Sequence, residues 1–225
     1  MSELASDSST PTEATGFLYP FLDAEERDQE SLLRDLAASA RSKAAQSAEL
    51  RRSTLAACAA EIATAAAEMA RRFAAGGRLF CFGNGGSSTD ATTLAGLFAR
   101  PPLHAPLPAW SLTADQAILT ALGNDVGFEL VFARQLIARS GQHDIAVAMS
   151  TSGSSKDLMA AFREARARGL FTVGFAGYDG GEFAASRDVD VCFTVRSQSV
   201  HRIQEAQALL GYELWAAVQQ RLGDS

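Results

Sequence analysis

The sequence predicts an α/β fold: a three-layer αβα doubly wound sandwich around a five-stranded parallel sheet, preceded by N-terminal helices. Three observations carry this. From about residue 78 onward, apolar runs of strand length alternate with helical stretches. The runs are apolar at successive positions, which suits strands covered on both faces. Right-handed crossovers then send the connecting helices to both sides of such a sheet.

Residues 1–24 are predicted as a disordered tail and 25–225 as the folded domain with its N-terminal helices. The first sixteen residues are polar and rich in Ser and Thr. They carry Asp and Glu but no Lys or Arg, unlike a secretory signal. The apolar patch Phe17–Leu22 reads either as a docking arm or as a staple leading into a helix. Residues 25–47 and 49–75 read as two helices. Leu32, Leu33, Leu36 and Ala37 have helical spacing in the first, and Leu55, Ile62, Ala66 and Met69 in the second. Gly76-Gly77 stops the second helix. Strands are expected at 78–82, 109–112, 144–150, 171–176 and 191–195. Helices are expected at 87–99, 115–122, 126–139, 154–168 and 200–221. The sequence shows no short-period repeat and no second domain.

A chain of 225 residues, 47% hydrophobic and 20% charged, is long enough for one large core. Its net charge of -6 argues against general affinity for nucleic acid or anionic membrane. A local phosphate pocket remains compatible with it. The Ala-rich stretch at 55–70 is interrupted by Glu61 and Glu68, so it does not read as a membrane span. Cys58, Cys81 and Cys192 form no C-x-x-C pair and read as buried thiols in a reducing cytoplasm. His104, His143 and His201 lack metal-ligand spacing.

In a doubly wound sheet, ligands bind where strand C-termini feed helix N-termini. Two such junctions are unusual. The first is Cys81-Phe82-Gly83-Asn84-Gly85-Gly86-Ser87-Ser88-Thr89-Asp90. Its glycines permit positive φ, and the helix start offers N–H groups to an anion. The plainer reading is a tight turn with a Ser or Thr cap. The second is Ser150-Thr151-Ser152-Gly153-Ser154-Ser155-Lys156. Four serines, one threonine and one glycine in six positions exceed what a cap requires. Such a loop can surround phosphate oxygens with hydroxyl and amide donors. Neither loop matches a P-loop or G-x-G-x-x-G.

Both loops, in this order, resemble the sugar isomerase (SIS) domain family, and within it the phosphoheptose isomerases. The resemblance spans about residues 50–220. It also rests on Ala121-Leu122-Gly123-Asn124-Asp125-Val126-Gly127-Phe128, Gly177-Tyr178-Asp179-Gly180-Gly181 and Arg202-Ile203-Gln204-Glu205. It implies phosphate contacts from Ser87, Ser150, Ser152 and Ser155, and sugar contacts from Asn84, Asp125 and Gln204. Gly85, Gly86, Asn124 and Thr151 complete the implied substrate-binding set. It also implies a homotetramer, with sites at subunit interfaces and N-terminal helices packed between subunits.

The departures concern catalysis. The family places a His and a Glu one turn apart after the first loop, and another His on the last helix. These positions are Thr93, Leu97 and Tyr212 here. In zinc-containing members those side chains, with the Gln at 204, hold the metal. Zinc is thus implied only by analogy, and neither Thr nor Leu is a zinc ligand. A family Asp that contacts sugar is His201 here. His201 lies eleven residues before Tyr212, roughly 16 Å along one helix, and does not replace it simply. Asp90 shares a helix face with Thr93 and Leu97, so it is a candidate base, or else a first-turn dipole partner. Asp125 and His201 are the other catalytic candidates. Trp110 and Trp215 read as core or interface residues, and Lys156 as a solvated residue or a phosphate counter-charge. Three functions are open at this point: a phosphosugar isomerase with a rearranged catalytic set, a phosphosugar sensor, or an oligomeric scaffold. A related branch, similar over Gly177–Glu182, acts through contacts with a replication initiator.

Overall fold

The computed structural model describes residues 29–223, so the expected tail at 1–24 lies outside the described residues. The chain divides into two compact units, residues 1–45 and 46–225. In the first unit the described residues are helical, the start of α1 (Gln29–Ala57). Leu33 and Leu36, in its expected apolar stripe, are exposed.

The second unit begins with the rest of α1, followed by α2 (Ala59–Ala74). Helix formers around Ala48-Glu49-Leu50 carry the chain through the break expected near 48. The actual interruption is Cys58, and it is slight. Cys58 N–H still donates to Thr54 O at 2.9 Å, and Ile62 N–H to Cys58 O at 2.9 Å. Gly76, at φ +82°, ends the helical segment as expected.

There follow β1 (Leu79–Gly83), α3 (Gly86–Ala99), β2 (Ala109–Ser111), α4 (Gln116–Asp125), a 3-10 turn (Phe128–Leu130) and α5 (Val131–Arg139). Then come β3 (Ile145–Met149), α6 (Lys156–Ala167), β4 (Phe171–Gly177), α7 (Gly181–Ala185), β5 (Val191–Val195) and α8 (Val200–Gly223). All five expected strands are present, and the sheet is parallel throughout in the order β2-β1-β3-β4-β5. The expected helix 126–139 divides at Leu130 into the 3-10 turn and α5, and Gly127 at φ +99° separates the turn from α4, which runs on to Asp125.

Alternate strand residues supply two cores. Leu79, Cys81, Ile145, Val147, Val173 and Phe175 face α2, α3 and α8. Phe80, Phe82, Ala146 and Ala148 pack with Phe132, Leu136, Leu158 and Phe162 of α5 and α6. Small residues in the central strands make room for rings on this second face. A Cβ at Gly174 would lie 2.9 Å from the ring of Phe183, which meets Phe162 edge-on at 5.0 Å. Each fully buried Phe or Leu contributes about 1.5–3 kcal/mol. Among the described residues, no helix is long and apolar enough to cross a membrane.

The amino ends of β1 and β3 are tied by one buried carboxylate. Asp144 accepts from the Arg78 backbone N–H at 2.8 Å, from Arg78 Nη2 at 2.8 Å and from Gly141 N–H at 2.8 Å. Asp144→Ala orphans all three donors. It is expected to cost about 2–4 kcal/mol in urea unfolding, with the assembled fold retained by circular dichroism at low denaturant.

Candidate functional site

The sheet order creates the site. β1 is followed in space by β2 on one side and β3 on the other, so the chain leaves β1 and β3 in opposite directions. The crevice above that reversal is where doubly wound sheets bind ligands. Gly83 and Met149 are register partners, so the loops that follow them start side by side. These are the two loops singled out in the sequence.

Both loops open helices that lack a side-chain cap. The N-cap of α3 is Gly85, at φ +54°, and has no side chain to give. The N-cap of α6 is Ser155, whose hydroxyl makes no capping bond. Ser88 N–H donates to Gly85 O at 3.0 Å, and the other backbone N–H groups of the two first turns have no side-chain cap and can face an anion, with the helix dipoles adding to the attraction. Ser87 is buried in the first turn of α3.

The second loop is held from below and behind. Ser150 Oγ accepts from Gly153 N–H at 3.0 Å and lies 3.3 Å from Ser152 Oγ. Thr151 O accepts from Gly177 N–H at 3.0 Å. Gly153 takes φ +65°, and a Cβ there would strike the carbonyl oxygen of Gly180. The loop after β4 then closes over it: Phe183 N–H donates to Gly153 O at 2.9 Å and Glu182 N–H to Ser154 Oγ at 3.0 Å. Tyr178, at the end of β4, is the one described non-glycine residue with positive φ, at 54°. Strain of this kind persists where surrounding structure enforces it.

Two contacts that sequence reasoning missed bind the site together. Asn84 Nδ2 donates to Asp157 Oδ2 at 2.8 Å, linking the first loop to the first turn of α6. Asp157 is buried. Gln207, fully buried on α8, donates from Nε2 to Ser150 O at 2.9 Å, and its Oε1 has no described partner. A hydroxyl trio was also missed. At the end of β2, Ser111 Oγ lies 2.8 Å from Thr92 Oγ1 and 2.7 Å from Thr113 Oγ1.

Among the catalytic candidates, Asp90 is the one placed beside the loops. Gln204 Nε2 donates to its Oδ2 at 3.1 Å, and the same nitrogen lies 2.5 Å from where a Gly86 Cβ would stand. The absence of a side chain at Gly86 thus lets Gln204 cover the start of α3. Burial raises the Asp90 pKa, and the Gln204 bond opposes that rise. Asp90 also lines a cavity of about 60 Å³ with Thr93, Leu97, Gln207 and Tyr212. The structure does not bring Asp125 or His201 into this group. Asp125 ends α4, exposed, and accepts from Asn124 Nδ2 at 2.8 Å. His201 is exposed in the first turn of α8. Lys156 is also exposed, 3.6 Å from Glu129.

A family model described as the SIS domain matches residues 44–177, which contain β1, β3 and both loops. The chain belongs to the SIS domain family. Among similar proteins of this SIS chain are two named phosphoheptose isomerase. One, from Burkholderia pseudomallei (strain K96243), is 45% identical over 142 residues, covering 62% of this chain and 71% of the relative. The other, from Roseiflexus sp. (strain RS-1), is 40% identical over 179 residues, covering 78% and 89%. A solved phosphoheptose isomerase from Neisseria gonorrhoeae superposes with a TM-score of 0.76 at 30% identity, covering 82% of this chain and 99% of that one.

Zinc does not fit the residues at the family's metal positions. Thr93 Oγ1 donates back to Thr89 O at 2.9 Å. Leu97 has no donor atom, and Tyr212 is half exposed with its ring against Trp215. No group of three or more His, Cys, Asp or Glu able to hold a metal occurs among the described residues. Structural and catalytic zinc sites use imidazole, thiolate and carboxylate, and Asp90 is the one such group in the cavity wall.

A raised Asp90 pKa has a definite sign in stability. The folded state holds this proton more tightly than the unfolded chain, so ionising Asp90 costs stability. That cost grows as pH rises above the ordinary aspartate value of 3.8 and levels off beyond the folded-state pKa. Asp90→Asn, which has no proton to lose, is expected to gain stability relative to wild type as pH rises through this window. Paired urea melts at closely spaced pH values check it; a pH-independent difference would show that Asp90 is not desolvated.

Proposed function

We propose that this chain is a phosphosugar isomerase of the phosphoheptose isomerase type with a rearranged acid–base set. Its ligand is a sugar phosphate such as sedoheptulose 7-phosphate, seated across the junctions after β1 and β3. The observation that carries the reading is the pair of neighbouring helix starts without side-chain caps, surrounded by serine hydroxyls. A dianion there exchanges its hydration for amide and hydroxyl donors. Similarity to phosphoheptose isomerases over most of the chain supports the substrate class.

Aldose–ketose isomerisation takes a proton from the carbon beside the carbonyl, giving an enediolate, and returns it to the neighbouring carbon. The base works best with a pKa near the operating pH. Asp90 suits that role better than Asp125 or His201, because it is partly desolvated and lies next to Gln204. Asn84 and Gln204 serve the sugar, and Ser87, Ser150, Ser152 and Ser155 the phosphate.

A second reading, a phosphosugar sensor without chemistry, is favoured by one observation. The wall that carries His and Glu in the family is here Thr93 and Leu97, facing a cavity of only about 60 Å³. In either reading we place the protein in the cytoplasm as a homo-oligomer, of four copies by analogy with the family. Exposed Leu33 and Leu36 on α1 support association, since an apolar stripe gains by being covered.

Proton NMR of sedoheptulose 7-phosphate in D₂O separates the readings. Deuterium appearing at C1 or C2 with wild type, and not with Asp90→Asn, is the result expected of the isomerase. Binding without exchange selects the sensor. Ser155→Ala and Ser152→Ala should each weaken phosphosugar affinity by about 1–3 kcal/mol in calorimetric titration. Unchanged affinity in both variants removes the phosphate site itself.

A further inference from the structure

The loop after β1 meets α6 through one bond, from Asn84 Nδ2 to Asp157 Oδ2 at 2.8 Å. A carboxylate accepts hydrogen bonds and does not donate them, so the amide nitrogen of Asn84 is the end held by Asp157. Its carbonyl, Oδ1, is the end left for other partners. Asp157 is 4% exposed in the first turn of α6, whose packing fixes its position.

We infer that Asp157 is a positioning residue that makes Asn84 a reader of hydroxyl groups. The inference rests on the phosphosugar reading above and deepens it. A phosphate dianion presents acceptors only, so the Asn84 carbonyl gains nothing from it. A sugar hydroxyl has a proton to give and satisfies that carbonyl. The serine hydroxyls and helix N–H groups do the opposite: they donate, and so select the phosphate. Asp157 thus gives the site two ends, one for the anion and one for the polyol, and sets which way a sugar phosphate lies between them.

Without the carboxylate the orientation is lost. In Asp157→Asn the new amide can donate to Asn84 Oδ1 as readily as accept from Nδ2. Asn84 then turns its N–H₂ outward in part of the population and no longer selects hydroxyls.

The test compares two ligands on one protein. Calorimetric titration with sedoheptulose 7-phosphate and with inorganic phosphate is run on wild type, Asp157→Asn and Asp157→Glu, alongside thermal melts. The expected result is a loss of about tenfold for the sugar phosphate in Asp157→Asn, with inorganic phosphate unchanged or tighter. Asp157→Glu, which keeps an acceptor-only partner, should recover part of the loss. Equal weakening of both ligands would mean a structural role for Asp157 and overturn the inference, as would no change in either. If wild type binds inorganic phosphate but not the sugar phosphate, the hydroxyl-reading end does not exist. If wild type binds neither, the phosphosugar reading fails first and this inference falls with it.

Discussion

Everything functional in this molecule depends on β1 and β3 being spatial neighbours while their chains depart to opposite faces. Parallel pairing sets Gly83 beside Met149, and the strand ends are only about 4.8 Å apart. Two helix starts are thereby forced to share one crevice. Each has N–H groups that its own helix cannot satisfy. In most helices a Ser, Thr, Asp or Asn side chain takes up that deficit locally. Here Gly85 cannot and Ser155 does not. The unmet donors sum in one place, and a single anion can answer both helices. The tie at the other end of the same strands, Asp144 with Arg78, keeps their relative height fixed.

The fold says more about where the crevice lies than about the chemistry carried out there. The SIS domain supplies the crevice, and in the reading proposed above the helix walls over it carry the acid and base. In this chain α3 presents Asp90, Thr93 and Leu97 toward α8, which presents Gln204, Gln207 and Tyr212. Thr93 spends its hydroxyl on the preceding turn and Leu97 offers carbon only. Burial pushes the Asp90 carboxyl upward, and the bond from Gln204 opposes that rise.

Much of this was legible in the sequence, for identifiable reasons. The strand Val191–Val195 and the junctions around Asn84 and Ser152 announce themselves through composition: apolar runs, then glycine, then hydroxyls. Those signals are local. The bond between Asn84 and Asp157 joins residues 73 apart in the chain, and the one between Gln207 and Ser150 residues 57 apart. Neither exists until the strand order is known, and pattern alone gives strands without their order. Helix α7 escaped because five residues are too few to show a period. The apolar stripe of α1 was found by spacing, which reports that a face is apolar and not what covers it; only the resemblance implied that these helices pack between subunits.

Asp157 also answers a difficulty raised by the uncapped helices. A helix start with orphan donors and no ligand is unfavourable, and a site that binds an anion must still fold before the anion arrives. A carboxylate in the first turn offsets the dipole by about 0.3–1 kcal/mol, more when partly buried. Placed among the donors, it would compete with the phosphate. Asp157 avoids this by turning to Asn84, on the neighbouring loop. Its charge sits in the first turn of α6 while its Oδ2 is engaged by Asn84. The hydroxyl of Ser155 makes no capping bond. One side chain therefore joins the two loops without capping the start of α6.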